Sequence, residues 1–222
     1  MKKDDIDSKI QERFQHLYWS IYLYNLALSE LQIISDLNFN QSELQIVNSH
    51  TFNFYRVTLQ YCFAMEYNKI LEIGRKDNNQ NISSIYQLNE IIYSLNQSSF
   101  SEKYKENKEQ IEFIKSSLFY NKMKKLRDKK FAHADNHEIN IPFSTKGFST
   151  EDIYQGFSQL SILKNVLNKL TFVYDFEYDL QIPNRDNRTE NFIKFHAEYK
   201  DYYFENYKSA LKEKFNKKKN NS

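Results

Sequence analysis

Glycine and proline are scarce. The chain has three Gly and two Pro in 222 residues, where usual shares of about 7% and 5% would give roughly 27. Multi-stranded sandwiches, propellers and doubly wound α/β folds place Gly, Pro or Asn-Gly at many corners, so the shortage excludes most of them. Long helices joined by polar loops make no such demand. The Gly residues, at 74, 147 and 156, stand alone, which excludes both the P-loop and the dinucleotide fingerprint. Cysteine occurs once, at Cys62. It has no intramolecular disulfide partner and cannot build a thiolate metal site, so a reducing compartment, the cytoplasm, is expected. No apolar run approaches the roughly 18 residues of a membrane span. The opening residues MKKDDIDSKI carry acids and no apolar core, unlike a secretory signal. Neither sign of charge dominates: 31 Lys and Arg against 29 Asp and Glu give net +2. A polycation is excluded, but a local basic patch is not.

Aromatic residues are plentiful: 17 Tyr, 18 Phe and one Trp. They supply core volume that Leu and Val more often provide. Ile10, Phe14, Leu17, Ile21, Tyr24, Leu28 and Leu31 recur at steps of 4 and 3, which is one face of a helix. Asp7 or Ser8 is a candidate cap for it, and residues 38–48 read as a connection. A second helix over about 49–73 has the stripe Phe52, Tyr55, Leu59, Cys62, Glu66, Ile70 and Ile73. Gly74 suits the left-handed position after its end. A shorter helix carries Ile85, Leu88, Ile91 or Ile92, and Leu95, and residues 97–101 read as a break. A long helix with Ile111, Ile114, Leu118, Met123 and Leu126 follows and becomes strongly basic at its end.

Residues 134–149, with Pro142 and Gly147, lose the helical period and read as a hairpin or an irregular loop. Ser149 or Thr150 starts the next helix, with Glu151 and Asp152 in its first turn, where the dipole favours acids. Its stripe is Ile153, Phe157, Leu160, Leu163, Leu167, Leu170 and Tyr174. Residues 175–183 break it. A last helical segment over 189–215 carries Phe192, Phe195, Tyr199, Tyr203 and Tyr207 and ends in three lysines at 217–219. The expectation is an all-α protein. An antiparallel helical bundle fills residues 1–180, and a helical extension with a basic tail fills 181–222.

Chemistry concentrates in one stretch. Six of the nine residues from Lys122 to Lys130 are basic, and Asp128 is the one acid among them. A basic run is most often a solvated helix face. Its functional reading is a phosphate-binding surface built from Lys124, Lys125, Lys129 and Lys130 around Arg127. His133 follows directly, between the small residues Ala132 and Ala134. Histidine has its unperturbed pKa near neutrality and can move a proton. Arginine can hold a phosphate and stabilise charge developing on phosphorus, and Asp128 can orient either group. On an ideal helix six residues set Arg127 and His133 roughly 120° apart. The helix must therefore bend or end before His133, or a second subunit must complete the site.

Arg127-Asp128-Lys-Lys-Phe-Ala-His133 resembles the signature of the HEPN superfamily (higher eukaryotes and prokaryotes nucleotide-binding domains): Arg, a polar residue, a few variable positions, then His. The run Leu126 to Asp135 is most similar to the HEPN proteins of the abortive-infection U type. The resemblance covers roughly residues 10–175 and implies a small helical bundle, a homodimer, with both Arg–His motifs meeting in one cleft. It implies a metal-independent endoribonuclease in which the 2′-hydroxyl attacks the adjacent phosphorus, leaving a 2′,3′-cyclic phosphate and a 5′-hydroxyl. His133 would be the general base or acid, Arg127 would bind the scissile phosphate, and Asp128 would position one of them. Such proteins act in toxin–antitoxin and phage-defence systems, so an antitoxin or defence partner is implied alongside RNA. The alternative within the family is a non-catalytic domain that binds nucleic acid or a partner protein. Some family toxins carry a Tyr two residues after the His, a site of modification; here that residue is Asp135. The segment from about 176 onward has no counterpart in the resemblance.

Other residues carry weaker signals. Glu66 lies in the apolar register of its helix. It is either an accessory carboxylate, as is Asp135, or an edge residue paired to a nearby cation, and the second is the commoner outcome. His133, Asp135 and His137 would face one way on an extended strand, with Glu138 beside them, but no further ligand follows at recognisable spacing. No metal or other cofactor is expected. His16, His50 and His196 read as ordinary polar or packing residues. The aromatics of the last segment could stack on unpaired bases; their helical spacing favours packing on the bundle. Arg185, Arg188 and Lys194 read as solvated charge, and Cys62 as an inert buried thiol.

Overall fold

The computed structural model describes residues 3–35, 38–72, 84–128, 148–171 and 188–220. Among them the chain forms eight helices and no strand: α1 (Lys3–Ile34), α2 (Gln41–Val47), α3 (His50–Leu71), α4 (Ile85–Leu95), α5 (Gln97–Ser116), α6 (Leu118–Leu126), α7 (Thr150–Thr171) and α8 (Arg188–Asn220). The 4-and-3 stripe of α1 is the spine of the bundle, and each of its seven members from Ile10 to Leu31 is at most 2% exposed. The helix begins at Lys3, so Asp7 and Ser8 lie inside it and do not cap it.

The neighbours of α1 run against it. Arg56 near the start of α3 reaches the Ile34 carbonyl at the end of α1, while Phe63 further along stacks on Tyr24, 4.8 Å between ring centres. The start of α7 meets the end of α1, where Ile153 and Tyr154 share a cavity wall with Gln32 and Ile33. Here α1 and α7 approach closely. Gly156 has Leu28 against the place a Cβ would take, and its carbonyl accepts a 2.7 Å bond from the buried Tyr24 hydroxyl. Phe63 also packs on Tyr67, Phe119 and Phe148. Each such aromatic pair adds about 0.5–1.5 kcal/mol to area burial.

Several boundaries differ from the sequence expectation. Residues 38–48 hold α2, because Asn40 and Glu43 form a reciprocal capping box. The break at 97–101 shrinks to Asn96, with α5 starting at Gln97. The long basic helix is two helices, divided at Ser117, whose hydroxyl accepts the Tyr120 N–H and caps α6. The division resets the register, so Leu118 is 89% exposed and Phe119 enters the core. In α3 the buried face centres on Phe63 and Tyr67, with Tyr55, Cys62 and Glu66 half-buried at its edge. That helix ends at Leu71, before Ile73, and Glu72 is extended. The expected breaks at 134–147 and 175–183, with Gly74, Gly147 and Tyr174, lie outside the described residues.

The last helix departs most. Ile193 and Ala197 are buried, while Phe192, Phe195, Tyr199, Tyr203 and Tyr207 are all exposed. The aliphatic pair takes the seam against the bundle. At 100° per residue, Phe192, Phe195, Tyr199 and Tyr203 fall roughly 80–160° around the helix from Ile193, too far to share that seam.

Candidate functional site

The short helix α6 is held from three directions. At its start, Gln159 of α7 donates to the capping Ser117 hydroxyl at 2.9 Å. In its middle, Phe119 and Met123 are buried, and the Asn68 amide of α3 donates to the Met123 carbonyl at 3.1 Å. On its outer side Lys122 grips both oxygens of Asp152, at 2.5 and 2.6 Å. Burial raises the Asp152 carboxyl pKa, but the Lys122 ammonium and the Ser149 hydroxyl and N–H outweigh it and hold the group below the usual range. Lys122 is therefore part of the fold.

The regular α geometry of α6 stops at Leu126, and Arg127 and Asp128 pass into the wider π form. Such local widening is frequent at functional sites. Arg127 stays partly sheltered, its side chain 25% exposed. Its Nε donates to Asp128 Oδ1 at 2.8 Å, and its Nη1 lies 4.0 Å from Glu72 Oε1. Asp128 thus holds the guanidinium through its Nε–H, and among the described residues the Nη groups have only the looser 4.0 Å approach of Glu72.

These groups open on a cleft of about 440 Å³ between the ends of α3 and α5 and the face of α6. Glu72 comes from the end of α3, Glu112, Lys115 and Ser116 from α5, and Tyr120, Lys124 and Arg127 from α6. Glu112 and Lys115 form an ion pair at 3.8 Å. The Tyr120 phenol is raised above its ordinary value by burial; Arg127 pulls it down while Asp128, Glu72 and Glu112 push it up. The cleft thus has three cations and two carboxylates on its wall, a mixed surface and not a uniformly basic one.

Of the residues singled out in the sequence, the structure joins Arg127 to Asp128 and puts Lys124 on the cleft wall. Lys125 is exposed and makes no ion pair among the described residues. Glu66 stays apart, half-buried on α3 and 3.4 Å from Lys69. It is the paired edge residue and does not line the cleft. His133, Lys129, Lys130 and Asp135, with His137 and Glu138, lie outside the described residues. Among the described residues no His, Cys, Asp and Glu are grouped to hold a metal ion, and no helix is long and apolar enough to cross a membrane.

Sequence reasoning missed Glu72, Glu112, Lys115 and Tyr120. A signal existed for Tyr120, since Tyr120, Lys124 and Arg127 step by 4 and 3 and share a helix face. None existed for the other three, which arrive from separate helices. Comparison with family models, with curated proteins and with solved structures gives no match.

Proposed function

We propose that this protein is a metal-independent endoribonuclease of the HEPN type, acting as a homodimer in a toxin or phage-defence role in the cytoplasm. The observation that carries the reading is the Arg127–Asp128 pair at the end of α6. A guanidinium held through Nε by an adjacent carboxylate, with its Nη groups beside a cleft, is prepared to accept a phosphate in a fixed orientation. Lys124 adds positive charge on the same face. In this reading His133 takes the proton from the attacking 2′-hydroxyl or returns one to the departing 5′-oxygen. Arg127 stabilises the charge on the phosphorane oxygens. Asp128 is a positioning residue that acts through Arg127, and the second subunit supplies the other motif.

Glu72 and Glu112 favour a second reading, a non-catalytic domain of the same type that binds nucleic acid or a partner protein. Glu72 near Arg127 and Glu112 on the same cleft wall weaken the pull on a phosphate and suit a mixed-charge partner.

One experiment separates the two. Pure protein in excess EDTA is incubated with a structured RNA and a tRNA pool, beside His133→Ala and Arg127→Ala variants of unchanged helicity. The enzyme reading expects cleavage to 2′,3′-cyclic phosphate ends, abolished in both variants. Equal activity in wild type and variants would sink it. Salt-dependent RNA binding without cleavage is the outcome the second reading expects.

A further inference from the structure

Among the described residues the bundle grips only the first half of α8. Thr189 donates to Glu30 at 2.6 Å, Ile193 and Ala197 are buried, Lys200 reaches Gln45, and Asp201 accepts from Ser42 at 3.0 Å. From Tyr202 onward every described side chain is exposed, and the helix still runs to Asn220. That stretch is roughly 28 Å long at 1.5 Å per residue. Helices in proteins owe most of their stability to the packing of one face, and no face of this stretch is covered among the described residues.

The unpacked half keeps such a face. Counted at 100° per residue, Phe204, Tyr207 and Leu211 lie within roughly 40° of Ile193, so they continue the seam that the bundle buries. Yet Phe204 is 56%, Tyr207 55% and Leu211 37% exposed. Charge is divided along the same helix. Residues 188–205 hold three basic and four acidic side chains, net −1, while 206–220 hold six Lys and one Glu, net +5.

We propose that the free half of α8 is a self-association surface that pairs antiparallel with α8 of a second copy. Antiparallel pairing along Phe204, Tyr207 and Leu211 brings the lysines of each helix toward the exposed Glu198 and Glu205 of the other, which flank the seam that the bundle covers. Parallel pairing would set net +5 against net +5. The same division disfavours a nucleic-acid strand. Bases stacked on Phe195, Tyr199 and Tyr202 would bring their phosphates against Glu198, Asp201 and Glu205. This assignment does not depend on the ribonuclease reading.

The test is sedimentation equilibrium of the full chain and its variants, with helicity followed by circular dichroism. The wild type is expected to self-associate through this surface. The Phe204→Glu/Leu211→Glu variant is expected to weaken that association at least tenfold while staying helical through α1–α7. Two charge-reversed variants, Lys212→Glu/Lys214→Glu and Glu198→Lys/Glu205→Lys, are each expected to weaken self-pairing, and their mixture to restore a dimer. A wild type that stays monomeric at its highest soluble concentration overturns the proposal. So does a mixture that fails to restore pairing, or a monomer that captures single-stranded oligonucleotide through these aromatics. A dimer indifferent to every α8 substitution places the contact elsewhere and also overturns it, while leaving the Arg127–His133 reading untouched.

Discussion

Removing Asp152 is the sharpest test of how α6 is fixed. Its carboxylate accepts from Lys122 at 2.5 and 2.6 Å, from the Ser149 hydroxyl at 2.8 Å and from the Ser149 N–H at 2.7 Å, while the Ser149 hydroxyl accepts the Asp152 N–H at 3.2 Å. The exchange with Ser149 is a reciprocal cap of α7, and losing such a cap costs about 1 kcal/mol. The bond to Lys122 is charge-assisted, but the lysine side chain is 50% exposed, so water discounts the pair to about 1 kcal/mol. Asp152→Ala should therefore destabilise the protein by about 2 kcal/mol, which at this size lowers Tm by about 4–8 °C. Lys122→Met should cost about 1 kcal/mol, since Asp152 keeps its bonds to Ser149. The double variant should cost less than the sum by about 1 kcal/mol, the coupling of the pair. Because the folded carboxyl is depressed, its contribution is complete above the ordinary aspartate value of about 3.9. It is lost as pH falls through the folded value, so wild type and Asp152→Ala should converge in acid. Urea unfolding of the four proteins across pH measures all of this. A Lys122→Met cost exceeding that of Asp152→Ala, or strict additivity, would refute the reasoning.

Phe63→Ala removes a fully buried ring that four other aromatics touch; a loss of about 3–5 kcal/mol is expected by thermal melting, and a loss below about 2 would contradict the central role given to this cluster. Gly156→Val puts a Cβ 2.9 Å from Leu28 Cδ1 and 3.1 Å from Cδ2. Overpacking of about 1–3 kcal/mol should exceed the few tenths that Val gains over Gly in a helix, so a stabilised variant would show that α1 and α7 are not in tight contact there. Glu72→Gln removes the carboxylate 4.0 Å from Arg127 Nη1, an exposed pair worth about 0.2–1 kcal/mol. Affinity for single-stranded RNA should rise by up to about fivefold at low salt, and an unchanged or weakened affinity would remove Arg127 from the binding surface.

How legible the structure was in the sequence depended on how local each cause is. The stripe of α1 is a property of one uninterrupted helix, and its spacing alone identified seven buried residues from Ile10 to Leu31, with Ser20, Asn25, Ala27 and Glu30 buried beside them. The cap at Ser149 was legible for the same reason. The division at Ser117 was not, because Ser, Leu and Phe in a row give no period. What decides it there is tertiary: Gln159 donates to the Ser117 hydroxyl from 42 positions away. In α3 an apparent stripe through Cys62 and Glu66 competes with one through Phe63 and Tyr67, and only the position of α1 and α7 selects the second. At the candidate site, Arg127 and Asp128 were legible as neighbours in sequence. Glu72, Glu112 and Lys115 are brought beside Arg127 by the folding of α3 and α5, which no spacing records. The aromatics of α8 misled because helical period shows that residues share a face and says nothing of which face is covered.

The anchoring of α6 bears on what Arg127 can do. A catalytic or binding group must be held within a fraction of an ångström by residues that are themselves fixed. Here the chain reaching Arg127 is fixed at Ser117 by Gln159, at Lys122 by Asp152 and at Met123 by Asn68. The last of these anchors lies one turn before Arg127. The guanidinium is then fixed again through its own Nε by Asp128. Four successive constraints along eleven residues are more than a solvated basic face requires, since long cationic side chains in water gain nothing from a rigid base. They are what a charge needs if it is to meet a phosphate without reorganising. The acids at Glu72 and Glu112 set the opposing condition: the cleft holds its own counter-charges, and an incoming anion must compete with them. A site that is rigid in position and partly neutralised in charge discriminates by geometry more than by bulk attraction. That predicts a salt dependence of RNA binding shallower than the basic run from Lys122 to Lys130 would give by itself.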